Sequence, residues 1–297
     1  MQSLLTLLPD FSLILLGVLL RRWLVTDGGF WTGVEKLVYF VLFPALLFRA
    51  LASVPIDMGS TLPLVGAGVA VMFAGFLFGL AGKPLMGLPE LSFASRLQCA
   101  YRFNTYIAIA IAGKVYGAEG VALMGALCGM MVPFANVMAV GMLARHGQGH
   151  IVRELLRNPL VLATLAGLLF NLAGGVLPEP GEAFLKRLGD AAVALGLLAV
   201  GAALRWGPAG GSVLGSGWII TVKLMLLPVV AWLLGRLFGL EGIAFDLLVL
   251  FAAMPSASSA YILAMRMGGD GQGVAWLISA TTVLAVPTLA FWITLLH

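Results

Sequence analysis

The chain reads as a succession of apolar runs about 20 residues long, the length that carries an α-helix across the hydrocarbon core of a bilayer. Ten such runs are predicted, near residues 4–21, 34–53, 62–82, 93–115, 120–143, 159–177, 185–204, 212–237, 243–266 and 274–296. Two of them are interrupted by polar residues. The fourth contains RFNTYIAIAIA at Arg102–Ala112, and its Asn104 and Thr105 lie about ten residues from either end, near mid-depth. The ninth contains MPSASSAY at Met254–Tyr261, at the same relative place in the second half of the chain. Polar groups at that depth cost too much to be idle, and two breaks in matching positions point to the binding site of a transporter. The pattern implies a secondary transporter of a small organic solute.

The two halves echo one another. Pro9 and Gly17 recur as Pro159 and Gly167, and Tyr106-Ile107 recurs as Tyr261-Ile262. Gly120-Val121-Ala122 recurs as Gly273-Val274-Ala275, and Val132-Pro133 as Val286-Pro287. All four matches imply an offset of about 150–155 residues, which a duplicated five-span unit leaves behind, and five being odd, the copies are inverted. The expected division is residues 1–143 as the first repeat, 144–158 as a cytoplasmic inter-repeat loop and 159–297 as the second repeat. With that loop cytoplasmic, Arg21, Arg22, Lys36, Lys83, Arg96, Arg145, Arg153, Arg157, Arg205 and Arg266 gather on the inner side. Only Arg49, Lys114, Lys186, Arg187 and Arg236 fall outside, which places both termini on the periplasmic face.

Composition narrows the class further. The 297 residues are 61% hydrophobic and only 10% charged, with mean hydropathy +1.05, too little charge for a soluble domain. The formal charge of +4 and pI near 9.3 do not mark a nucleic-acid binder, because Lys and Arg stand singly at the ends of apolar runs. Cys99 and Cys128 lie inside apolar runs, with neither a disulfide framework nor metal-ligand spacing. His146 and His150 are four apart but lack a third ligand, and the intervening glycines disfavour helix. GGDGQG at Gly268–Gly273 lacks the setting and the Lys-Ser/Thr of a phosphate loop and reads as a turn. The N-terminus lacks the basic region and cleavage site of a secretory signal and is expected to begin the first span. No nucleophile–base pair or acid pair stands at depth, so neither an enzyme nor a cofactor is expected.

A helix interrupted in lipid exposes backbone groups that protein, water or ligand must satisfy. The half-helices beginning near Asn104 and Ser258 both aim their N-termini at the midplane, which favours an anion between them. The preceding half-helices bring C-terminal carbonyls to the same place, so a cation fits there too. Candidate substrate-binding residues are Arg102, Asn104 and Thr105 at one break, Pro255, Ser256, Ser258, Ser259 and Tyr261 at the other, and Asn136 in the fifth span. The plainer alternative is that these side chains only satisfy freed backbone or tie helices together. Arg102 either attracts an anionic substrate, pairs with an acid or reaches a wet vestibule. Lys223, Asp190, Asp246 and Asp10 are candidate coupling groups or, equally, headgroup-level charges. Gly75–Gly79 and Gly125–Gly129 read as close-packing helix faces.

These residues resemble a bacterial member of the auxin efflux carrier family. The resemblance runs through GVLLRR at Gly17–Arg22, FPALLF at Phe43–Phe48, RFNTYIAIA at Arg102–Ala110, VPFAN at Val132–Asn136, RNPL at Arg157–Leu160 and AAMPSASSAY at Ala252–Tyr261. It implies an all-α polytopic membrane protein with ten transmembrane helices in two inverted five-helix repeats, the fourth and ninth broken and crossing. Such a fold is sodium/proton antiporter-like or bile acid transporter-like. It further implies a scaffold domain from helices 1, 2, 6 and 7, a transport domain from helices 3–5 and 8–10, and elevator-type alternating access in a homodimer. The implied cargo is a small organic anion, auxin-like or malonate- or malate-like, carried across the cytoplasmic membrane with proton coupling, sodium coupling or none. By position, Asn104 is the crossover asparagine and Pro255 opens the ninth-span break. Plant members have a proline where this chain has Phe103 and another where it has Ala260, so here Asn104 and the Ser-Ala-Ser-Ser run must make the breaks. The long central loop of the plant proteins is absent. A non-transporting sensor or scaffold that binds a small solute is the alternative from a different class.

Overall fold

Long apolar runs without internal partners for a sheet leave the backbone one way to satisfy itself in lipid, which is helix. The computed structural model describes residues 2–53, 58–143, 159–205 and 210–296, and every regular element among them is helical. The predicted inter-repeat loop at 144–158, with His146 and His150, lies outside the described residues.

In the first half, the helix Gln2–Leu19 runs on through a π-turn at Leu20–Leu24. Asp27 then caps the next helix, Gly28–Leu37, accepting from the backbone N–H of Gly29 at 3.1 Å and of Phe30 at 2.8 Å. Those two bonds hold the Asp27 carboxyl below its ordinary range. This helix continues through a π-turn at Val38–Leu42 into Phe43–Ser53. Next come Met58–Ala81, a short turn of helix at Lys83–Met86, and Glu90–Leu97 with the 3-10 turn Gln98–Ala100. Thr105–Leu143 is folded sharply at Gly117, whose φ of 62° and ψ of −146° only glycine adopts easily.

The second half holds Pro159–Leu172, Glu179–Ala203, and Val213–Thr221 joined by a π-turn at Val222–Leu226 to Leu227–Leu237. Gly242–Ala253 and Ser258–Arg266 flank a second break, and Gly271–Leu296 closes the described chain. GGDGQG is the turn before that last helix, with Gly268 at φ 71° and the Asp270 carboxylate accepting from Gly273 N at 2.8 Å.

Five helices among the described residues are long and apolar enough to cross a bilayer: Gly28–Ser53, Thr61–Ala81, Glu90–Leu143, Val213–Leu237 and Gly271–Leu296. The chain is thus an all-helical polytopic membrane protein. The difference from ten predicted spans has visible causes. Glu90–Leu143 runs over both the fourth and fifth predicted spans, and the ninth is divided into pieces of 12 and 9 residues. The sixth shows only the 14 residues of Pro159–Leu172, while the seventh starts at Glu179 and carries Glu182, Lys186, Arg187 and Asp190 in its first turns.

The two broken segments form the core. Every residue from 93 to 104 and from 247 to 256 is buried, which explains why neither stretch has a polar face. Around them the helices pack in two groups. Gln2–Leu19 lies on Glu179–Ala203, and Phe43–Ser53 lies on both Glu179–Ala203 and Pro159–Leu172. Leu227–Leu237 lies on Gly242–Ala253 and Met58–Ala81. Small residues set these approaches: a side chain at Gly17 would strike Leu198 O, one at Gly201 would strike Ile14 O, and one at Gly167 would meet Phe48 O at 2.8 Å. The Gly75 and Gly79 face lets Met58–Ala81 rest against Leu97, Ala100 and Tyr101, the turn that leads into the first break.

Gly201→Val should force apart the Gln2–Leu19 and Glu179–Ala203 helices and cost about 1–3 kcal/mol. A lowered melting temperature of the purified protein in detergent is the expected readout; an unchanged one would mean the contact is slack.

Candidate functional site

The break in the fourth predicted span is Tyr101–Asn104, and that in the ninth is Met254–Ala257. Neither needs the proline that the family resemblance led one to look for before Asn104. Phe103 there packs its ring on Phe251, centroids 4.4 Å apart, and so anchors the extended segment in the apolar core. The two breaks satisfy each other. Asn104 N donates to Pro255 O at 2.8 Å, and Ser256 Oγ donates to Cys99 O at 2.7 Å. Ser256 N donates to Thr281 Oγ1 of the last helix at 3.2 Å. Main-chain groups that lipid would leave bare are thereby paired across the crossing.

Asn104 also caps the half-helix it opens, its Oδ1 accepting from Tyr106 N at 3.0 Å and Ile107 N at 3.2 Å. The first tip thus spends two of its own donors on Asn104, as the plainer sequence alternative had it. Its Nδ2 donates to none of the described residues. The second tip differs: Ala257 stands at the cap position and no side chain caps the Ser258–Arg266 helix. The Ser258 side chain lies outside what the structure describes.

Arg102 is 5% exposed and lies between the two tips. It donates from Nη1 to Ser259 Oγ at 3.0 Å and from Nη2 to Asn136 Oδ1 at 2.7 Å. These two partners are neutral side chains, from the ninth and fifth predicted spans. The structure therefore joins Arg102, Asn136 and Ser259 directly, and Asn104, Pro255 and Ser256 through the backbone crossing. Thr105 is half-buried beside them, while Tyr261 is 40% exposed and makes no hydrogen bond among the described residues. Among the described residues no group of three or more His, Cys, Asp or Glu is placed to hold a metal.

Two charges read as peripheral are buried. Arg96, taken as a topology charge, is 3% exposed and pairs with Asp270 at 2.7 Å while donating to Gly210 O at 2.9 Å. Lys223 is 1% exposed, which removes the headgroup explanation for it. Asp10 pairs with Lys114 at 3.3 Å, Asp190 with Lys186 at 2.8 Å, and Asp246 accepts from Tyr116 Oη at 2.8 Å. Gln98, just before the break, and Tyr101, its first residue, bury an amide and a hydroxyl with no hydrogen-bond partner among the described residues. Their only sequence signal was a polar residue inside an apolar run.

Residues 144–293, just over half of the chain, match a family profile described as membrane transport protein. A Rhizobium meliloti (strain 1021) protein named "Putative malonate transporter" is 25% identical over 302 residues, spanning 95% of this chain and 92% of its own length. An "Uncharacterized transporter" of Methanothermobacter thermautotrophicus is 27% identical over 298 residues, spanning 97% of this chain and 96% of that protein.

The cap and the outward donor of Asn104 can be separated. Asn104→Ser keeps an acceptor for the helix tip, whereas Asn104→Ala removes it and should cost about 1 kcal/mol. Thermal melts of the two variants check this: Ser close to wild type, Ala lower.

Proposed function

Because the chain belongs to the membrane transport protein family, whose members are auxin efflux carrier-like, we propose that it is a secondary carrier of a small organic anion, a mono- or dicarboxylate. The observation that carries the reading is the buried Arg102 guanidinium, held by neutral Ser259 and Asn136 between two helix tips. A guanidinium presents its donors in a fork that matches a carboxylate. The substrate carboxylate takes its bonds from Arg102, from Asn104 Nδ2 and from the uncapped N–H groups that open the Ser258–Arg266 helix. Malonate, which appears in the name of one relative, is the anion to try first.

Movement follows an elevator scheme in a homodimer within a bacterial cytoplasmic membrane, both termini periplasmic. Ten spans form two inverted five-helix repeats, with helices 1, 2, 6 and 7 as scaffold and helices 3–5 and 8–10 as the moving body. The two packing groups support that division. The glycine contacts support the repeat: Gly17 of the first span meets the seventh, and its counterpart Gly167 of the sixth meets the second. The Asp10–Lys114 pair joins the two groups and must open in each cycle.

Arg102→Gln and Asn104→Ser should each lower malonate uptake into proteoliposomes by about tenfold or more, the factor set by one hydrogen bond to a charged group. Both should elute as monodisperse protein; wild-type flux in Arg102→Gln would remove the site. Accumulation of labelled malonate against a preloaded unlabelled pool separates a carrier from a sensor, which binds without counterflow. Bridging Asp10→Cys to Lys114→Cys with a short bifunctional thiol reagent should stop exchange, and reduction should restore it; undiminished exchange in the bridged protein would exclude the elevator scheme.

A further inference from the structure

Lys223 belongs to the π-turn Val222–Leu226, where the helix accommodates an extra residue and its carbonyls lose their regular partners. One of those carbonyls, Leu224 O, accepts from Trp292 Nε1 of the last helix at 3.0 Å. The Lys223 side chain crosses to the other broken element, where Nζ donates to Ala252 O at 2.8 Å. Ala252 is the penultimate residue of Gly242–Ala253, so its oxygen is among the last four carbonyls, which have no partner within the helix. The negative end of that half-helix dipole lies at the same point. Among the described residues no Asp or Glu forms an ion pair with Lys223.

A half-helix that ends inside a membrane offers carbonyl oxygens to a cation, and in carriers with broken helices such ends coordinate a coupling ion. Here that seat is reached by an amine that the chain itself supplies. We infer that Lys223 is a tethered cation occupying the seat at the end of Gly242–Ala253, so that no sodium ion is bound there and the ninth-span break is held for an anion without one. The ammonium has three donors and no acceptor, which suits a ring of carbonyls and excludes a metal ion from the same point. It acts through the half-helix and is a positioning residue, not a substrate contact. The transport arm of its test rests on the carrier reading above; the melting arm does not.

The test uses purified full-length protein, without substrate, in buffers where the only cation is choline, sodium or methylammonium. Wild-type protein should melt at one temperature in all three. Lys223→Ala should melt lower in choline and regain about 2–4 °C in sodium or methylammonium, ions small enough to enter the vacated seat. Lys223→Met, which keeps the bulk and lacks the charge, covers the case in which Lys223→Ala does not fold; it should respond to neither ion. In proteoliposomes wild-type malonate flux should be the same in sodium and choline, Lys223→Met flux should fall about tenfold, and methylammonium should restore only Lys223→Ala. A Lys223→Met protein that melts and transports like wild type, a folded Lys223→Ala that ignores both small cations, or a wild-type protein stabilised by sodium would each overturn the inference. If no variant, wild type included, carries malonate, the melting arm still decides the seat.

Discussion

The structure depends on one constraint: a backbone that leaves the helical path inside lipid must find a partner for every group it frees. Here each of two interruptions supplies what the other lacks. Asn104 N finds Pro255 O, and Cys99 O finds Ser256 Oγ, so the breaks are stable only as a pair. That mutual requirement fixes where the halves of the chain meet and explains why both segments are buried on all sides. It also fixes where charge can be tolerated. Arg102 is held at this depth because the crossing already gathers polar groups from three segments.

Much of this was legible before any coordinates. Asn104 and the Met254–Tyr261 run stood out because a polar residue in an otherwise apolar span is expensive unless it is used. The close helix approach at Gly75 and Gly79 was signalled by spacing, whereas Gly17 and Gly167 were marked only as repeat counterparts. Partnerships were not legible. Arg96 looked like an inner-face charge because its acid, Asp270, lies 174 residues away. Lys223 stood out as a charge in an apolar run, yet its partner is a main-chain carbonyl 29 residues on, and a carbonyl leaves no mark in a side-chain pattern. The capping role of Asn104 was hidden for the same reason, since an asparagine before a helix announces a cap or a ligand contact equally well.

The family match and the crossing geometry bear on different parts of the reading. Similarity places the chain among membrane transport proteins over residues 144–293 and leaves the cargo open. The proposal of an anionic cargo rests on the crossing. A cationic side chain beside two helix N-termini favours negative charge, and Ser259 and Asn136 accept from the guanidinium and hold it in position.

The two tips are unequal, one capped by its own asparagine and the other left bare. The crossing is therefore unsymmetrical, with one tip committed by its own side chain to holding the polypeptide in shape. At the opposite tip that obligation falls on Pro255 and Ser256, which bond to Asn104 N, Cys99 O and Thr281 Oγ1. Under the proposed reading, changes at residues 257–259 retune the contact with a new solute without breaking the bonds that tie the two breaks together, which gives this fold a route to diversify its cargo without rebuilding its frame.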